Sequence, residues 1–136
     1  MELRGEDNGE SLEIQRSSFG EAGTPADEDL LLNITINARG YSAADQVWVV
    51  ASDWRTFKNE LCELERHRHG HATLMGASPD DLRLVFEATD HAGHMAVSGF
   101  LGWQASEVSY RRLEFGFAFD GGLLQNLIKE LEEVGR

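Results

Sequence analysis

Three histidines at alternate positions, in His67-Arg68-His69-Gly70-His71, are the residues of this chain whose type and spacing could hold a metal. In an extended segment such side chains converge on one ion, and imidazole suits zinc, copper or nickel. In the last turn of a helix the same residues would instead set cations against the negative end of the helix dipole. No carboxylate or thiol at a fitting distance completes a ligand set, so no metal is assigned.

His91 and His94 flank a hairpin tip and could form an acid–base pair, but no nucleophile lies near them in the sequence. Glu60 and Glu63 stand three apart with His67 four further on, a spacing that binds metal inside a bundle when a second helix matches it. Glu130 and Glu133 repeat the spacing on the solvent side of another helix, where a solvated charged face accounts for them. Cys62 falls mid-helix beside the apolar face, the place of an inert packing thiol. There is no G-x-S-x-G elbow, and Gly99 and Gly102 around Phe100 and Leu101 open no phosphate-binding helix. The expectation is a protein with no catalytic residue, no cofactor and no metal, hence not an enzyme.

Composition bounds the partners. The 136 residues suit one domain with a sizeable core, and 41% hydrophobic content excludes general disorder. Acidic side chains number 24 against 12 basic, a net charge of −12 that repels phosphate backbones. Nucleic acid is therefore not an expected partner, whereas a basic protein would be steered in. No apolar run approaches the ~20 residues of a membrane span. Residues 1–9 are acidic and polar, unlike a secretory signal, and Cys62 has no partner for a disulfide, which together favour a cytoplasmic protein.

The elements that must position these residues follow from periodicity. Residues 1–9 are expected to fray, leaving one α+β domain over 10–136. Leu12 and Ile14 alternate with polar residues in a first strand running to about Phe19. Leu30, Leu32, Ile34 and Ile36 predict a second strand, and residues 42–50 a third after the turn at Gly40. Ser52 or Asp53 then caps a helix whose Trp54, Phe57, Leu61 and Leu64 share a face, with Gly70 as the stop. Four strands follow, at 72–77, from Leu82 to Thr89, at 95–104 and at 108–119, with a type I turn at Ser78-Pro79-Asp80-Asp81 and a hairpin at Asp90-His91-Ala92-Gly93. From Asp120 the chain turns into a last helix in which Leu123, Leu124, Leu127, Ile128, Leu131 and Val134 fall within an arc of about 140°. The order is βββαββββα: about seven antiparallel strands with two helices packed on them.

If Val97, Leu101 and Trp103 face the core, the other face of their strand shows Ala96, Ser98, Phe100 and Gly102. Gly116 and Ala118 extend it on the next strand, giving a shallow apolar bed that a helix or second layer covers, or that binds a protein if open.

The motif order resembles a group of small bacterial proteins that includes immunity proteins for wall-associated polymorphic toxins and related domains of unknown function. The matching features are Trp48 ahead of the first helix, the run Phe57, Leu61, Leu64, Gly70 and Ala72, and Leu82-Arg83-Leu84. Gly93-His94-Met95-Ala96-Val97-Ser98-Gly99 and Leu113-Glu114-Phe115-Gly116-Phe117, leading into Asp120 and Leu123, complete the match over the last two thirds of the chain. The resemblance implies a cytoplasmic protein that binds and blocks a toxin, an acidic surface facing a basic nuclease. The residues themselves leave open a scaffold domain or a small-ligand-binding protein with a pocket between sheet and helices.

Overall fold

A computed structural model describes residues 1–136. The chain runs β1 (Glu2–Arg4), β2 (Glu10–Phe19), β3 (Leu30–Ala38), β4 (Tyr41–Val49), α1 (Ala51–His67), β5 (His71–Met75), β6 (Leu82–Ala88), β7 (His94–Gln104), β8 (Tyr110–Asp120) and α2 (Leu124–Val134). Two four-stranded antiparallel meanders, β1-β2-β3-β4 and β5-β6-β7-β8, replace the expected seven strands with eight. The added strand is β1, in the segment expected to fray. Leu3 is buried, and β1 pairs with β2 from Glu2↔Glu13 to Arg4↔Ser11.

Period-two alternation does the sorting in both sheets. Leu12 and Ile14, then Leu30, Leu32, Ile34 and Ile36, then Val47 and Val49 point inward from the first sheet. Leu82, Leu84, Phe86, Met95, Val97, Phe117 and Phe119 do so from the second. Arg39 and Gly40 both take positive φ, 50° and 96°, which closes the two-residue β3–β4 hairpin with the twist the strands need. Gly93 does likewise between β6 and β7 (φ 91°), and Asp81 N–H donates to Ser78 O at 3.0 Å in the turn expected there.

The helices join the inner faces into one core. Trp54, Phe57, Leu61 and Leu64 of α1 are buried, and an aromatic chain runs Trp54–Phe57–Phe86–Phe119 at centroid separations of 6.0, 5.6 and 6.2 Å. Each such pair adds about 1 kcal/mol beyond area burial. Leu124, Leu127, Leu131 and Val134 of α2 complete a cluster of 27 buried apolar side chains, with no polar or charged side chain among them.

Three local expectations are corrected. The N-cap of α1 is Val50 rather than Ser52 or Asp53, and Asp29 supplies the missing acceptor by taking the Ala51 N–H at 2.8 Å. The helix ends before Gly70 because Arg68 takes the left-handed position (φ 58°). Arg68 is then held by donating to Gly121 O at 3.0 Å and to Glu65 Oε1 at 2.9 Å. Residues Gly121–Leu123 form a 3-10 turn, which advances about 120° per residue, and so Leu123 rotates out of the apolar arc to 40% exposure. Asp120 still caps, accepting the Gly122 N–H at 2.9 Å. Gly121 is required there because a Cβ would meet Gly93 O at 2.1 Å.

Candidate interaction surface

The chemical candidates disperse. His67 Nε2 lies 3.0 Å from Glu63 Oε2, and Glu63 also takes Arg66 at 3.2 Å. Glu60 is turned to the sheet, accepting the Thr73 N–H at 3.2 Å. His69 sits 5.8 Å from His67 between ring centroids, while His71 lies in β5, opposite Glu87 of β6 in the strand register. No three histidine, cysteine or carboxylate side chains gather to a common point. Glu130 accepts the Glu2 N–H at 3.3 Å and Glu133 pairs with Arg136. Cys62 is exposed rather than packed beside the apolar face.

His94 pairs with Asp90 and not with His91: Nδ1 lies 2.7 Å from Asp90 Oδ2. The shared hydrogen bond holds the Asp90 carboxyl below its ordinary value of 3.8, aided by the Ala92 N–H. The same bond lifts His94 above 6.5, aided by the negative charge of Asp90 and, less, of Glu6 and Asp120. The His94 contribution to hairpin stability is complete below its unfolded value and is lost as pH rises through the raised folded one. The Asp90 contribution is present above its unfolded value and is lost as pH falls through the lowered one. The turn is therefore tightest between about pH 4 and 6.5. Proton NMR should show His94 titrating above 6.5, and Asp90→Asn should bring it back toward that value. A His94 midpoint indifferent to that substitution would contradict the pairing.

What the fold does assemble is surface. The outer face of β7 and β8 carries Ala96, Ser98 and Phe100, partly exposed, beside exposed Gly116 and Ala118, and neither helix buries it. Trp103 leaves the core and is exposed at the end of the β7–β8 hairpin, with Arg111 stacked on its ring at 4.8 Å. Arg112 stacks on Phe100 at 3.6 Å and pairs with Glu114 at 3.3 Å. Val108 and Tyr110 project beside them, Tyr110 at 69% exposure, and Tyr41 on β4 is 72% exposed. Tryptophan, tyrosine and arginine dominate binding energy where proteins meet, because each combines large area with a polar group.

The hairpin end faces the first sheet across a groove of about 480 Å³, walled by residues 42–45 of β4, Leu101 and Gly102 of β7 and residues 111–113 of β8. Asp45 lies in this wall. With Asp80 it raises the carboxyl of Asp81, whose partial burial is the larger cause. The sequence pointed to the β7–β8 face but not to the groove, which is walled by residues from both sheets.

No helix is long and apolar enough to cross a membrane. Against known families, residues 3–135 match the immunity protein WapI-like family. No curated protein and no solved structure matches the chain.

Proposed function

This chain belongs to the immunity protein WapI-like family, and from that premise we propose that it is a cytoplasmic, non-catalytic inhibitor that binds a basic toxin domain and blocks it. The observation that carries this reading is the distribution of polarity. All 24 acidic and 12 basic side chains lie outside an entirely apolar core, so chemistry and recognition are both left to the surface. A net charge of −12 speeds encounter with a cationic domain, and the exposed aromatic and arginine side chains at the β7–β8 end supply contacts that hold it.

The test is association with a basic toxin domain, followed by stopped-flow fluorescence. The association rate should fall about tenfold between low and physiological ionic strength, because screening shortens the reach of the negative field. No binding, or a rate indifferent to salt, would count against an electrostatically steered inhibitor.

A further inference from the structure

The four sheet edges are not equally protected. At β1 the Glu2 N–H is taken by Glu130 of α2, and at β5 the Thr73 N–H is taken by Glu60 of α1. At β8 the Ala118 carbonyl accepts the Glu6 N–H from the β1–β2 connection, while the outward groups of Tyr110, Arg112, Glu114 and Gly116 stay open, so it is the adjoining groove that singles out β4. On β4, the Trp48 carbonyl accepts the Ala77 N–H at 2.7 Å, which fixes the even-numbered residues of this strand as those whose backbone groups point away from β3. The Gln46 N–H is occupied by Asp45 Oδ1 at 2.8 Å. Ser42 and Ala44 remain, with outward N–H and C=O groups and no sheet neighbour, and they lie in the wall of the groove.

An unpaired edge beside an open groove is the geometry of strand addition, in which main-chain hydrogen bonds give affinity and flanking side chains give selectivity. The floor beside Ser42 and Ala44 is apolar through Ala43, Leu101 and Leu113. Asp45 stands in the groove wall, and the Asp80-Asp81 turn adjoins the groove at Gly102, whose N–H donates to the Asp81 carbonyl at 2.8 Å; no lysine or arginine side chain pairs with these three carboxylates. The arginines on the opposite wall are already engaged, Arg111 on Trp103 and Arg112 on Phe100 and Glu114.

We infer that the free stretch of β4 at Ser42 and Ala44 is where this protein receives an extended segment of its protein partner as an added strand, with an apolar side chain on the groove floor and a lysine or arginine against Asp45, Asp80 and Asp81. The inference rests on the inhibitor reading and names the part of the surface that performs it.

The test titrates the 15N-labelled full chain with an acetylated, amidated Lys-Val-Lys-Val-Lys peptide and, in parallel, its Glu-Val-Glu-Val-Glu counterpart. Ser42 and Ala44 amide signals should shift saturably with the lysine peptide, and the glutamate peptide should bind at least tenfold more weakly. Ala44→Pro removes an outward N–H at an edge position, where proline is tolerated, and should weaken the lysine peptide at least tenfold. Asp80→Lys, at an exposed turn, should also weaken it and guards against misfolding of the proline variant. No saturable shift at millimolar peptide, shifts confined to other strands, or equal binding by both variants and the unaltered protein would overturn the inference. If the toxin domain still binds while the peptide ignores β4, the docking strand is wrong and the inhibitor reading stands. If the peptide seats on β4 while the toxin domain does not bind, the inhibitor reading is the one that fails.

Discussion

Leu127→Asp lowers stability by about 4 kcal/mol, whereas Glu132→Lys changes it by less than about 0.5 kcal/mol. Both positions are in α2, five residues apart, and helix propensity separates them little. Leu127 is 3% exposed within the continuous apolar core, with no cation there to receive a carboxylate. Glu132 is exposed and makes no ion pair, so its charge is already solvated. A loss of 4 kcal/mol is a large share of the ~5–15 kcal/mol that holds a domain together. Thermal melting should show Leu127→Asp unfolding more than about 10 °C earlier. Equal midpoints would mean that α2 packs with a different face.

Gly99→Ala is expected to cost about 3 kcal/mol, against less than about 1 kcal/mol for Gly116→Ala. Gly99 sits in the middle of β7 at φ 146°, and a Cβ there would lie 1.8 Å from the Arg83 carbonyl oxygen and 2.7 Å from its carbon. Neither atom can yield without parting β6 from β7. Gly116 is on the neighbouring strand with ordinary dihedrals, and its Cβ would meet nothing nearer than Ser98 Cβ at 3.4 Å. Urea unfolding of the two variants measures the contrast, and similar midpoints would contradict the close approach of strands at Gly99.

The strands and helices with a long apolar period were legible in the sequence. Leu30, Leu32, Ile34 and Ile36 are buried on one face of β3, and Trp54, Phe57, Leu61 and Leu64 on one face of α1, as their spacing requires. What escaped was short or supplied from a distance. β1 has three residues and one buried side chain, too few to show a period. The acceptor at the start of α1 comes from Asp29, 22 residues earlier. Arg68 holds a left-handed conformation that glycine usually takes, anchored by Gly121 O across 53 residues. The candidate site was less legible still, because open backbone groups at Ser42 and Ala44 leave no trace in residue type. Trp103 shows the same limit: it alternates in phase with Val97 and Leu101, but β7 outruns the core before reaching it.

On the proposed reading this molecule acts through what its surface presents and carries out no reaction of its own. Titrating a fixed amount of the toxin domain with the purified protein, and reading residual toxin activity, tests that most directly. Inhibition should rise linearly, stop at a fixed molar ratio, and stay constant with further incubation. Inhibition that deepens with time at a small fraction of one equivalent would reveal turnover, and undiminished toxin activity at excess would remove the toxin as its partner.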